Sequence, residues 1–128
     1  MVDRRRPQSV PRGWPPAVSP PGSEDWETTA AAWLLDLLPE YRQYPAMRQH
    51  PVILAFIARN VLEGAVEGAR QGYRTTRTEL SGLVPPHAVS AALRDFRAEG
   101  LRLSAALRSV ELVEWALRGK LRWMPCAM

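Results

Sequence analysis

The stretch PHAVSAALRDFRAEGLRLSAALRSVELVEWALR, residues 86–118, decides the fold of this chain. From Val89 onward, apolar side chains recur at alternating spacings of four and three residues, which places them along one side of an α-helix. Eight of the ten positions in this seam are apolar; the ten are Val89, Leu93, Phe96, Gly100, Leu103, Leu107, Val110, Glu114, Leu117 and Leu121. A helix with such a seam needs a surface to pack against, so the sequence predicts an all-α protein.

Helical patterns and helix stop signals continue through the rest of the chain. Residues 24–38 carry an apolar face and end before Pro39, and residues 51–71 begin with a proline that suits a first helical turn. Thr76 and Glu79 fit a capping box, which predicts a short helix over residues 77–83. The expected fold is a bundle of about four helices, at 24–38, 51–71, 77–83 and 86–118.

Glycines raise two structural questions. Gly64, Gly68 and Gly72 are four residues apart and therefore share one side of a helix, which indicates either the close approach of another helix backbone or a weak helix end. Gly100 interrupts the longest helical pattern. The last helix therefore either bends at Gly100 and folds back, or projects and pairs with a second chain.

The two ends of the chain differ from its centre in composition and charge. Residues 1–23 contain six of the twelve prolines and few apolar side chains, so we expect a disordered basic tail. A single helical domain should span residues 24–119, and residues 120–128 should form a flexible basic tail. The net charge of +4 and the pI of about 10.0 arise from these ends, since residues 24–114 hold ten arginines and twelve acids.

Several classes of function lack their usual sequence signals. Cys126 is the single cysteine, which excludes an intrachain disulfide and a multi-cysteine zinc site. His50 and His87 have no metal ligand at helical spacing, and the chain has no glycine-rich phosphate loop and no nucleophile elbow. We therefore expect no catalytic site, no metal and no cofactor, and hence a protein that is not an enzyme.

The sequence shows no export signal and no membrane segment. Prolines follow Arg4-Arg5-Arg6 where an apolar signal region would lie. The longest apolar run, 52–58, is far shorter than the ~20 residues that cross a bilayer. A soluble cytoplasmic protein without a membrane partner is the expectation.

The apolar seam supplies the first functional hypothesis. We expect a non-enzymatic interaction or regulatory module that forms a homodimer, or binds another protein, through residues 101–118. Glu114 interrupts the seam four residues before Arg118, which predicts an ion pair within one helix. The residues expected to form the contact surface are Leu103, Leu107, Val110, Val113 and Leu117.

Part of the same stretch supplies the alternative. VSAALRDFRAEGL, residues 89–101, follows the pattern V-x-x-A-L-x-x-L-x-x-E-G-L, with Phe96 at the second leucine, and Glu79-Leu80-Ser81 precedes it. Residues 79–101 thus resemble the recognition half of winged helix-turn-helix repressors. The resemblance implies a small DNA-binding regulator in which Ser90, Arg94 and Arg97 face the major groove or its phosphates.

The connector between the first two long helices is a third candidate site. Tyrosine, arginine and histidine alternate there, and such side chains can stack on bases or bind anions. Arg59, Arg70, Arg74 and Arg77 would extend this basic strip along the next helix. The alternative, which we favour, is that the tyrosines pack over the helix junction while the cations reach solvent. The connector residues concerned are Tyr41, Arg42, Tyr44, Arg48 and His50.

Overall fold

A computed structural model describes residues 10–119 of the chain. These residues contain helices α1 (Trp26–Leu37), α2 (Pro45–Gln49), α3 (Pro51–Leu80) and α4 (Pro86–Leu117), together with a 3-10 helix at Pro39–Gln43 and no β-strand. The predicted all-α class is therefore confirmed. Residues 1–9 and the predicted C-terminal tail, 120–128, lie outside the described part.

The chain divides into two units by the density of its internal contacts. Among the described residues, unit 1 comprises 10–58 and 108–119, and unit 2 comprises Arg59–Leu107. Helices α3 and α4 each contribute one segment to each of the two units. The single helical domain expected over residues 24–119 stays a prediction.

The proline-rich segment of unit 1 is ordered from residue 10 onward, so the prediction of a disordered tail over residues 1–23 is wrong for residues 10–23. Trp14 and Val18 are buried, and the indole Nε1 of Trp14 donates a hydrogen bond to the carbonyl oxygen of Val18 at 2.9 Å. The Trp14 ring also lies 6.3 Å from the ring of Trp26, centroid to centroid. Prolines restrict the unfolded chain, so the entropy cost of ordering this segment is smaller than its length implies.

Gly13 fastens the proline-rich segment to α4. Its φ of +95° suits glycine, and its carbonyl oxygen accepts a hydrogen bond from the Ser109 hydroxyl at 2.6 Å. A Cβ at this position would lie 3.3 Å from Cγ of Arg108, so the segment sits directly on α4. The number of prolines therefore did not predict the order of this segment, which depends on Trp14, Val18 and the turn at Gly13.

The rest of the core of unit 1 comes from its helices. Val110 and Val113 of α4 are buried beside Glu114, whose carboxylate accepts hydrogen bonds from Nε and Nη2 of Arg118 at 3.0 and 2.7 Å. The ion pair expected from the sequence is therefore present, on a carboxylate that is almost fully buried. The remaining buried apolar residues of this unit are Ala30, Leu34, Leu35, Leu38, Leu54, Ala55 and Ala58.

Unit 2 is a hairpin of two helical segments, 59–80 of α3 and 86–107 of α4, joined by a turn in which Gly82 has a φ of +85°. The predicted helix end at 71 and the separate helix at 77–83 are both wrong, because α3 continues to Leu80. Thr76 does not cap a new helix. It is buried, and its hydroxyl donates to the carbonyl oxygen of Gly72 within α3.

Gly72 of α3 lies against a side chain of the facing segment of α4. A Cβ on Gly72 would lie under 3.0 Å from the Cε1, Cζ and Cδ1 atoms of the Phe96 ring. Gly64 and Gly68, on the same side of α3, have nothing within 4 Å of the same position. The atoms nearest to Gly72 thus belong to the Phe96 side chain and not to the helix backbone that the glycine spacing suggested. Gly100 does not interrupt α4, so of the two alternatives for the last helix the fold-back at Gly100 does not occur.

Neither a membrane span nor a metal-binding cluster is found in residues 10–119. None of the helices in that range combines the length and the hydropathy that a membrane-crossing helix needs. Over the same residues, no three side chains of His, Cys, Asp or Glu lie close enough together to bind one metal ion.

The burial of Trp14 predicts a large loss of stability on truncation. Replacement of Trp14 by Ala should lower the free energy of unfolding by about 3 kcal/mol or more, because a buried aromatic side chain and its hydrogen bond are lost. Trp115→Ala is the matched control, since Trp115 is 54% exposed and should cost about 1 kcal/mol at most. Urea denaturation measures both. Equal effects of the two substitutions would show that residues 10–18 are not part of the core.

The three glycines of α3 should respond oppositely to alanine. Gly64→Ala and Gly68→Ala should each stabilise the protein by about 0.5–1 kcal/mol, because alanine favours helix and the space is open. Gly72→Ala should destabilise it, since displacing the Phe96 ring costs about 1–3 kcal/mol. Thermal denaturation of the three variants provides the measurement. A gain from Gly72→Ala as large as that from Gly64→Ala would contradict the packing of Phe96 on Gly72.

Candidate functional site

A groove of about 400 Å³ runs between the two helical segments of unit 2. It is lined by residues 66–74 of α3 and residues 96–104 of α4, so it is about 12 Å long at 1.5 Å per residue. We call it the arginine-rimmed groove; its lining comprises Val66, Ala69, Arg70, Tyr73, Arg74, Phe96, Arg97, Gly100, Leu101 and Ser104.

The floor of the groove exists because the facing residues are small. Ala69 is buried, and a Cβ added to Gly100 would lie 3.8 Å from the Cβ of Ala69. The backbones of α3 and α4 therefore approach closely at this point, with no side chain filling the space above them. Val66 continues the apolar floor along α3.

Large apolar side chains form the walls of the groove and remain accessible. Tyr73 is 45% exposed and Leu101 is 65% exposed, while the Phe96 ring is half-buried against Gly72. Scattered exposed apolar residues are ordinary, but these two line one cavity with an apolar floor. Such a surface is typical of a binding groove.

Arginines rim the groove on both sides, and their charge is only partly compensated. Arg70 and Arg74 share the carboxylate of Glu67, each at 3.4 Å, and Arg74 also donates to Oε1 of Gln71 at 2.6 Å. Across the groove, Arg97 of α4 is exposed and forms no hydrogen bond or ion pair with any of residues 10–119. Three cations thus face one carboxylate, which leaves the groove with an excess of positive charge.

A neighbouring cation on α4 is compensated and does not add to that excess. Arg102, which is outside the groove lining, donates from Nε to Oε1 of Glu99 at 3.0 Å and forms a second contact to Oε2. These hydrogen bonds hold the pKa of the Glu99 carboxyl below its ordinary value and raise the pKa of Arg102. The pair therefore stays ionised at neutral pH.

The residues expected to contact DNA are exposed on α4. Ser90, Arg94 and Arg97 are spaced by four and three residues and so share one face of the helix. Arg97 lines the arginine-rimmed groove, and Ser90 lines a second cavity beside the turn together with Arg77. The chain after Gly100, where a wing would begin in the resembling repressors, continues as helix to Leu117.

The connector residues do not converge on a common site. Arg42 forms an ion pair with Asp36 at 2.7 Å, and the rings of Tyr41 and Tyr44 pack at 5.9 Å between centroids. A shallow cavity touches both tyrosines, but its charged member is Glu40, and neither Arg48 nor His50 lines it. Of the two tyrosines, Tyr41 is half-buried and Tyr44 is exposed.

The seam residues proposed as a contact surface divide into two groups. Val110 and Val113 are 0% exposed, so they belong to the core of unit 1 and cannot also form a surface for a second chain. Leu103, Leu107 and Leu117 are half-buried. The predicted surface is therefore wrong for the two valines, because helical periodicity shows which residues share a face but not what covers it.

Sequence reasoning missed most of the arginine-rimmed groove. The sequence analysis placed Arg70 and Arg74 in one basic strip along the helix. The helical periodicity gave no reason to place Tyr73 or Leu101 in the same site. Leu101 falls outside the four-three series, which is itself a signal, since an apolar residue off the buried stripe of a helix tends to be exposed.

Comparisons of this chain with protein-family models, with curated proteins and with solved structures find no match.

Proposed function

We propose that this protein is a non-catalytic interaction module and that the arginine-rimmed groove of unit 2 is its contact surface. The observation that carries the proposal is the combination of an apolar floor with two accessible apolar walls, Tyr73 and Leu101, in one groove of about 400 Å³. A groove between two helices that is about 12 Å long accepts roughly two turns of another helix, which is a common mode of peptide recognition.

The proposal keeps the interaction role expected from the sequence and changes its surface. Two of the five seam residues are core, which leaves the end of α4 with a reduced apolar surface for pairing. The groove, in contrast, keeps the side chains of Tyr73 and Leu101 exposed. Burying those side chains on association would remove apolar area from water at about 25 cal/mol per Å².

A second function is favoured by a different observation, the cations near the hairpin turn. Arg77 at the end of α3 and Arg94 on α4 are exposed and form no hydrogen bond or ion pair with any of residues 10–119, and Ser90 lies on the same face of α4 as Arg94. Hydroxyl and guanidinium groups of this kind contact phosphates. Duplex DNA binding through Ser90, Arg94 and Arg97 is therefore the alternative proposal.

A single charge in the wall of the groove should separate binding from folding. Leu101→Glu should abolish binding of a labelled amphipathic helical peptide with a leucine stripe, because a carboxylate replaces an exposed apolar wall. Leu83→Glu is the matched control, since Leu83 is 75% exposed and does not line the groove. Fluorescence anisotropy measures binding, and circular dichroism checks that helix content is unchanged. Equal binding by both variants would contradict the groove as the contact surface.

The DNA alternative makes its own prediction. Arg94→Ala together with Arg97→Ala should weaken binding to a random duplex and lower the salt slope by about 2, because each neutralised phosphate contributes ~0.9. Removal of residues 1–9 eliminates three arginines and leaves Trp14 in place, so it is the control for the basic terminus. Binding that survives the double substitution but disappears with residues 1–9 would exclude the α4 face as the DNA contact.

A further inference from the structure

We infer that the ligand of the arginine-rimmed groove is an acidic amphipathic helix from another protein, with carboxylates on both borders of its apolar stripe. This inference rests on the proposed function, because it names the class of partner that the same groove binds. It follows from the positions of the three arginines and from the charges of the other segments that could occupy the groove.

The cations stand on both walls and not on one. Arg70 and Arg74 are one turn apart on α3, and Arg97 stands on α4. A helix that places its apolar stripe on Ala69 and Gly100 would therefore meet guanidinium groups on either side. Carboxylates at both borders of the stripe would pair with them, whereas lysines there would be repelled.

Glu67 does not satisfy this charge. It is one carboxylate shared by Arg70 and Arg74 at 3.4 Å to each, and Arg97 has no partner among residues 10–119. A second carboxylate from a ligand could bind Arg97 directly without displacing any contact described here. The positive charge of the groove is therefore only partly neutralised by Glu67, and acidic residues of a ligand would neutralise the rest.

The terminal segments of the chain have the wrong charge to occupy the groove. Residues 1–9 hold three arginines and one aspartate, and residues 120–128 hold one lysine, one arginine and no acid. Both segments would be repelled by Arg70, Arg74 and Arg97. Residues 24–40 are acidic, but the apolar side of α1 is already used, because Ala30, Leu34 and Leu35 are buried.

A second copy of the groove is also a poor occupant. Two grooves that face each other would bring the three arginines of each chain together with only one glutamate from each. Like charges placed opposite one another disfavour that contact. A separate acidic helix is the occupant that complements both the apolar floor and the cationic rim.

The test uses the full chain and three helical peptides that share one leucine stripe. The stripe is bordered on both sides by Glu in the first peptide, by Gln in the second and by Lys in the third. Fluorescence anisotropy should show that the Glu-bordered peptide binds about tenfold more tightly than the Gln-bordered peptide, and that the Lys-bordered peptide binds most weakly. The preference should shrink as salt rises, because exposed charges are screened.

Two matched triple variants separate local from overall charge. In the groove variant, Arg70→Gln, Arg74→Gln and Arg97→Gln are combined; in the control variant, Arg42→Gln, Arg48→Gln and Arg102→Gln are combined. Both lower the formal net charge from +4 to +1. The preference for Glu should disappear in the groove variant and persist in the control variant. Equal loss in both variants would overturn the inference, because overall charge would then explain the preference.

The remaining outcomes distinguish failure of the inference from failure of the proposed function. If the Gln-bordered peptide binds as tightly as the Glu-bordered one, and Leu101→Glu abolishes both, the groove is a contact surface but the acidic partner is wrong. If no peptide binds at up to about 1 mM, both proposals fail. If the peptides do not bind while a random DNA duplex does, and the groove variant loses that binding, the ligand is nucleic acid and the inference is overturned.

Discussion

The packing of the Phe96 ring against the bare backbone of Gly72 is the contact on which unit 2 depends. A Cβ at that position of α3 would lie under 3.0 Å from the Phe96 ring, so a larger residue there would have to displace the ring. With the helices held at this distance, Ala69 and Gly100 lie opposite each other and form the floor of a groove. The groove thus exists because the residues on its floor are small. Its apolar walls are formed by the larger side chains of Tyr73 and Leu101.

The same contact explains why the arginines act together. A helical hairpin held at close approach brings Arg70 and Arg74 of α3 to the same groove as Arg97 of α4, although these residues are far apart in sequence. Charges on one helix would attract an acidic ligand without orienting it. In the proposed complex, charges on both walls would restrict the ligand to a helix whose acids flank its apolar stripe, so its specificity would arise from the hairpin geometry as much as from the charge.

Hydrophobic periodicity predicted that α1 and α4 are helices. Their bounds were also predictable to within two residues, because local signals such as Pro39 and Pro86 set them. The end of α3 was not predictable. The hydroxyl of Thr76 can either cap a new helix or donate to a carbonyl oxygen of its own helix, and the sequence does not distinguish these two roles. The order of residues 10–23 was missed because it depends on two side chains, Trp14 and Val18, and not on the composition of the segment. Propensity and composition describe averages, whereas these outcomes depend on single contacts.

The candidate site was predictable only in part. Ser90, Arg94 and Arg97 share a face of α4, as the spacing indicates, and Arg97 lies in the groove. Val110 and Val113 have the same periodicity as Leu103 and Leu107, yet they are core, because periodicity shows which residues share a helix face and not what covers that face. The groove floor formed by Ala69 and Gly100 could not be predicted from the sequence, because the pairing of these two residues depends on how the two helices pack.

The measurement that tests the central claim most directly is residue-level mapping of the contact surface. A ¹H–¹⁵N correlation spectrum of the full chain, recorded during titration with the Glu-bordered peptide, reports which backbone amides change environment. The account predicts that the largest shifts cluster at residues 66–74 and 96–104, with small shifts at residues 39–50 and 108–117. Shifts concentrated in either of the latter segments, with the groove residues unchanged, would contradict it.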